Sequence, residues 1–407
     1  MSKLIKYICF ILFLSIAPFH QSFAQEGDSV QKFKSFKLSR ITFTGNGYCG
    51  FDLELDKQLT DTTGMTSSSI SVGLAPILLW KITPNLFFES ELDLMMEHGM
   101  VTAELGYANL TYSIHKFGTI QVGKFLSPFG LFSERYHPFW INNAPNEPLG
   151  FDHEGYSPQS ELGLCIRNGT THFNYAVYVS SSPLMDTGAD VVKNAGKIVY
   201  HTDFGTDIND KIGFGGRVGV LPFKNSVLEI GASYKWMQLK LGDHYHGGTV
   251  THSHSSGEDL SALYIGNIYA IDLTLQKNLP GIKGRIEIKA QAQYSDAGKN
   301  NFIKLSPSGK TEVAYTYLNT TKIGYVLFAY KPVFANNKIL KKTGIYLRGG
   351  YMELPLGSLW YENTQEVSGG FNYSFKWNNT LKLGYQQILS AKKSYTNSIM
   401  IQWATAF

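Results

Sequence analysis

Ser394-Tyr395-Thr396-Asn397-Ser398-Ile399-Met400-Ile401-Gln402-Trp403-Ala404-Thr405-Ala406-Phe407 is the stretch that decides the fold. Tyr395, Ile399, Ile401, Trp403 and Phe407 fall on one face, and Thr396, Ser398, Gln402 and Ala404 on the other. A repeat of two is the repeat of a β-strand, so this segment presents one apolar and one polar surface. It predicts a strand between two unlike environments.

The same alternation recurs upstream. In Arg285-Ile286-Glu287-Ile288-Lys289-Ala290-Gln291-Ala292-Gln293 every odd residue is polar and every even one apolar. If the apolar face meets lipid, the charges must face inward, because each charge turned to the membrane midplane would cost roughly 2 to 4 kcal/mol. That logic places Glu89, Glu91 and Asp93 inside, Arg217 inside between Gly216 and Val218, and Lys382 with Gln386 inside beside Leu381, Leu383 and Tyr385. Arg40, Lys235, Arg285, Glu287, Lys289 and Arg348 join them, as do Glu104 and Glu229. A soluble sandwich would read similarly with its faces reversed.

The first residues carry Lys3 and Lys6, an apolar stretch from Ile8 to Ile16, and Ser22-Phe23-Ala24 ahead of Gln25. This is the layout of a cleavable secretory signal over residues 1–24. Residues 25–36 are then a short periplasmic segment, and residues 37–407 the barrel. No later segment approaches the roughly 18 apolar residues of a helical span. Aromatics make up 14% of the 407 residues and charged residues only 17%, low for a surface that must stay hydrated. Without Lys3 and Lys6 the formal charge of +4 falls to about +2, which favours neither sign of solute. Cys49 and Cys165 lie far apart in strand-like sequence and are not expected to pair.

These readings predict an all-β fold: a transmembrane antiparallel barrel of about 16 strands, in the range 14–18, with a long loop folded inward. Short turns are legible at Thr83-Pro84-Asn85, Asn168-Gly169-Thr170, Pro222 to Ser226, Leu279 to Gly284 and Trp377 to Thr380. Lys338 to Lys342 also falls in a turn on that side, taken as periplasmic. Long polar connections are expected outside, at about Lys57 to Ser67, Ser127 to Pro158, Ser181 to Asp210, Gly242 to Asp259, Ala297 to Thr311 and Pro355 to Asn363. A further strand at Lys197 to His201 would shift the parity. Trp80, Trp377, Trp403 and the tyrosines fit interfacial girdles.

Three patches carry a resemblance: Gly123-Lys124-Phe125-Leu126-Ser127-Pro128-Phe129-Gly130, then His137-Pro138-Phe139-Trp140, and Gly215-Gly216-Arg217-Val218-Gly219-Val220-Leu221-Pro222. They resemble porin-like barrel proteins of the Bacteroidetes type, distantly similar to the phosphate-selective porins. The closing Phe407 resembles the recognition signal read by the barrel assembly machinery. The resemblance implies an outer-membrane location amid lipid and lipopolysaccharide, passage of small hydrophilic solutes, and a pore narrowed by the inserted loop; porins of this kind often form homotrimers. A proline-rich loop of about thirty residues is too long and stiff for a plain connector. Its Glu134, Arg135, His137, Glu147, Asp152, His153 and Glu154 are candidates for the constriction, the alternative being an outer cap. The inward charges nearly balance, unlike the basic lumen of phosphate-selective porins. Weak selectivity is therefore expected.

His244-Tyr245-His246 and His252-Ser253-His254 are two His-x-His pairs joined through Gly247-Gly248. Their imidazoles could ligate Zn²⁺ or Cu²⁺, although the spacing matches no standard signature and a solvated loop is the simpler reading. No Gly-x-Ser-x-Gly, His-Glu-x-x-His, phosphate-binding loop or paired Cys-x-x-Cys motif occurs, so no enzyme is expected. Nucleic-acid binding lacks its basic, aromatic-interleaved patches. A surface-binding protein on a closed barrel, using metal or adhesive loops, and a barrel hydrolase remain the alternatives to a pore.

Overall fold

The computed structural model describes residues 40–58, 65–97, 100–114, 117–152, 155–186, 194–200, 211–223, 227–242, 263–305, 311–391 and 394–407. The expected signal and the segment 25–36 lie outside them. The strands are β1 Ile41–Gln58, β2 Met65–Lys81, β3 Leu86–Glu97, β4 Met100–Ile114, β5 Gly118–Leu126, β6 Ser160–Gly169, β7 Phe173–Ser181, β8 Leu184–Asp186 and β9 Ile198–Val199. They continue as β10 Ile212–Val220, β11 Leu228–Gly242, β12 Leu263–Leu279, β13 Gly284–Leu305, β14 Thr311–Lys331, β15 Thr343–Glu353, β16 Asn363–Lys376, β17 Asn379–Ser390 and β18 Ser394–Ala406.

All but β8 and β9 form a closed antiparallel barrel of 16 strands. Each strand pairs with the next, β7 pairs with β10, and β18 closes onto β1 from Asn46↔Ala406 to Gln58↔Ser394. Closure leaves no edge, which a membrane requires because lipid cannot satisfy free backbone groups. The decisive terminal segment is therefore the seam strand. Phe407 continues the closure, its backbone exchanging hydrogen bonds with Gly45.

Alternation sets the two faces. Ile399 and Ile401 point out while Ser398, Gln402 and Ala404 are buried inside. Around the barrel Phe51, Ile70, Val122, Phe214, Val218, Ile271, Val326, Leu347, Val367 and Leu383 stay exposed on the outer wall. Each such side chain left in water forgoes roughly 1.5 to 3 kcal/mol, so this band is stable only against lipid. Cys49 lies exposed and Cys165 buried, with no disulfide between them.

The rim of short turns carries the predicted connections at 82–85, 170–172, 221–227, 280–283 and 377–378, together with 332–342. Two expectations at the opposite rim are corrected. The polar stretch from Ala297 is not loop but strand: β13 runs to Leu305 by absorbing a register shift between Asp296 and Lys299. The possible strand near Lys197 is only β9, which pairs with β8. Since β8 attaches alongside the end of β11, this pair adds no wall strand and the parity stays even.

The loop-filled lumen as the candidate pore

The connection from β5 to β6, residues 127–159, turns into the barrel. At Gly130, with φ of +68°, the chain bends where any Cβ would collide with the Gln291 side chain. Gln291 in turn accepts hydrogen bonds from the backbone N–H groups of Leu131 (2.8 Å) and Phe132 (3.1 Å). The following residues Phe132–Tyr136 form one π-helical turn, a wide-ring geometry that helices use at special sites.

From there the loop crosses the lumen and is tied to the wall on several sides. Asn143 donates to Glu287 (2.8 Å), and Arg348 donates to the Asn146 carbonyl and side-chain oxygens (2.9 Å each). Lys382 donates to the carbonyls of Phe139 and Ala144, and Gln402 to that of Pro145 (2.7 Å). On the far wall the Phe139 ring meets Tyr48 at 4.2 Å between centroids, and His137 Nε2 lies 3.9 Å from Glu91 Oε1. His137 Nδ1 is 2.6 Å from the Ser133 carbonyl, which orients the ring. Backbone polar groups so deep in the barrel must be satisfied by the wall, and these bonds do it. Burial raises the hydroxyls of Tyr136 and Tyr156, which keeps both loop tyrosines neutral.

Beneath the loop lies a feature the polar lumen of the sequence reading did not anticipate. Several inward positions of β11, β12, β14 and β15 are apolar: Met237, Leu239, Ile268, Ile323, Tyr325, Leu327, Tyr346 and Met352 are all buried. Phe129 together with Met185 and Ile198 of the β8–β9 segment packs on the first group, and Phe132, Ala144 and Phe151 on the second. One sector of the lumen is thus a protein core.

Most of the predicted inward charges lie on inward positions of the strands, with Arg40 at the rim instead, and most are paired. Arg217 donates to Asp272 (2.6 Å) and Glu229 (3.0 Å), Lys235 bridges both oxygens of Glu161 (2.8 Å each), and Arg348 holds Glu366 (2.5 Å). Lys289 pairs with Glu287 at 3.2 Å and sits 3.9 Å over the Tyr136 ring. Of the loop candidates, Glu134 pairs with Arg167 and Arg135 with Glu229 (2.8 Å). Glu147 and His137 border a small cavity of about 30 Å³ beside Asp93. Asp152 is exposed, and His153 and Glu154 lie outside the described residues. Arg40 stands exposed at the rim, on the Ile82 carbonyl. Arg285 faces Lys331 across β13 and β14, in a recess of about 180 Å³ behind Trp140.

Sequence reasoning missed Glu161, Asp272, Glu366, Asp52 and Glu54 as inward acids. Ile271-Asp272-Leu273 and Glu366-Val367-Ser368 carried the alternating signal that would have found them. The four histidines His244, His246, His252 and His254 lie outside the described residues. Among the described residues no group of three or more His, Cys, Asp or Glu is placed to hold a metal ion.

A closed antiparallel barrel of 16 strands, apolar outside and crossed by an inserted loop, is the fold of a membrane-spanning β-barrel. Solved structures share that fold. OprB of Pseudomonas putida superposes with a TM-score of 0.57 at 13% identity, over 90% of this chain and 94% of that one. The outer membrane channel DcaP of Acinetobacter baumannii gives 0.55 at 12% identity, over 90% and 97%. The anion-selective porin from Comamonas acidovorans gives 0.54 at 8% identity, over 90% and 100%. No family model and no curated protein sequence matches the chain.

Proposed function

We propose that the protein is a passive outer-membrane porin for small hydrophilic solutes and ions. The observation that carries this is the inserted loop: it is fastened by hydrogen bonds from β11 round to β18, buries Phe129, Phe132, Ala144 and Phe151 on the β11–β15 sector, and meets β1 through Phe139 on Tyr48. A loop fastened across the lumen narrows a channel, which is what a diffusion pore needs. The near balance of inward charges along the chain speaks for weak selectivity, and a homotrimer in lipid and lipopolysaccharide is the expected assembly.

Single-channel conductance of the refolded protein in a planar bilayer tests the reading. Steady, ohmic steps are expected. Silence from a barrel shown to be folded would overturn it and transfer the weight to a surface-binding role, for which loop-dependent, saturable affinity would be sought. Crosslinking in detergent reports the assembly.

A further inference from the structure

A count of inward charges weighs each alike, but their placement divides them. On the inner face of β1 to β5 stand Asp52, Glu54, Glu89, Glu91, Asp93 and Glu104; among the described residues of that face the basic ones are Lys124 and, at the turn end of β2, Lys81 over the Phe87 ring, while Arg167 of the adjoining β6 is paired with Glu134. Lys124 is itself 3.8 Å from Glu104 and donates to the Leu105 carbonyl at 2.6 Å. The basic residues of the opposite walls are spent: Arg217, Lys235, Lys289 and Arg348 on carboxylates, Lys382 on loop carbonyls. Arg285 and Lys331 occupy the recess on the other side of the loop.

Two of the acids converge. The pairing of β3 with β4 slips between Glu91 and Leu92, which leaves Gly106 as the extra residue on β4. A Cβ built on Gly106 would lie 2.5 Å from Asp93 Oδ2 and 3.2 Å from Glu91 Oε1, so both carboxylates occupy the space a side chain would take. Glu91 is 3% exposed, and its Oε1 has no hydrogen-bond partner. An uncompensated carboxylate beside another carries a large penalty unless a cation or a proton is supplied. His137 on the loop lies 3.9 Å from Glu91 Oε1.

We propose that the water-filled path runs between the loop and the β1–β4 wall, and that Glu91 and Asp93 make it a pathway for small cations. This rests on the pore reading above. The core over β11 to β15 fills that sector, the recess of about 370 Å³ beside β6, β7 and β10 is lined by Arg135, Arg167 and Arg217 with Glu134, and low-dielectric walls focus the carboxylate field on the space beside β1 to β4.

Reversal potential across a bilayer in a KCl gradient tests it on the intact protein. The wild type should show K⁺ favoured over Cl⁻, and the E91Q/D93N double variant should lower that permeability ratio at least about twofold. E353Q, which removes one carboxylate charge from a residue bonded to exposed Lys322 at the end of β15, should leave it unchanged. A zero or Cl⁻-favouring potential in the wild type would overturn the proposal while leaving the pore intact. So would a K⁺ preference that the double variant keeps. An absence of conductance would instead strike the pore reading itself.

Discussion

The β11–β15 sector and the β1–β4 sector are built from the same alternating strands, yet they solve opposite problems. In the first, Tyr325, Leu327 and Met352 face inward and are buried under the loop. In the second, Asp52, Glu89 and Asp93 face inward and remain partly open. One sector therefore holds the loop in place through an apolar core, and the other meets it through Phe139 on Tyr48 and His137 beside Glu91. Stability and permeation are assigned to different walls, and substitutions should separate them.

The largest effect is expected from Arg348→Met. It strands Glu366, fully enclosed on the same wall, and removes two bonds to Asn146; breaking such a pair costs about 3 to 5 kcal/mol. Urea unfolding in detergent should show it, with ion preference unchanged in whatever protein folds. Leu327→Ala opens a void in the filled sector and should cost about 2 to 4 kcal/mol by the same assay. Gly130→Ala forces a side chain into left-handed backbone against Gln291, for about 1 to 3 kcal/mol, and loosening the loop should make single-channel current noisier. Glu89→Gln on the open wall is the mildest: stability should move by less than about 0.5 kcal/mol, while the K⁺ to Cl⁻ ratio falls. If Glu89→Gln unfolds the barrel or Leu327→Ala changes selectivity, the division between sectors is wrong.

The barrel was legible because lipid outside and water inside impose strict alternation, as at Arg285 to Gln293 and at the terminal strand. The inserted loop was legible from its length and prolines. The filled sector was not, although Gly324-Tyr325-Val326-Leu327-Phe328-Ala329-Tyr330 is apolar on both faces, the mark of a strand covered twice. Read with lipid in mind, such a run looks only like a hydrophobic strand. Pairing was equally hidden: Lys235 with Glu161, or Glu134 with Arg167, joins residues whose meeting depends on barrel closure and loop path. Inward direction follows from a period of two, but the partner does not.

The loop leaves the wall after the fifth strand, yet Leu149 binds Glu366 and Pro145 binds Gln402, 217 and 257 residues later in the chain. Contacts of such separation form slowly, since the intervening chain must first be ordered. During biogenesis the loop's carbonyls have no wall to meet until the last strands arrive. The barrel must close around a segment made long before, so seam closure and loop seating become one event, and a variant that delays the seam should accumulate an open intermediate with its loop unseated.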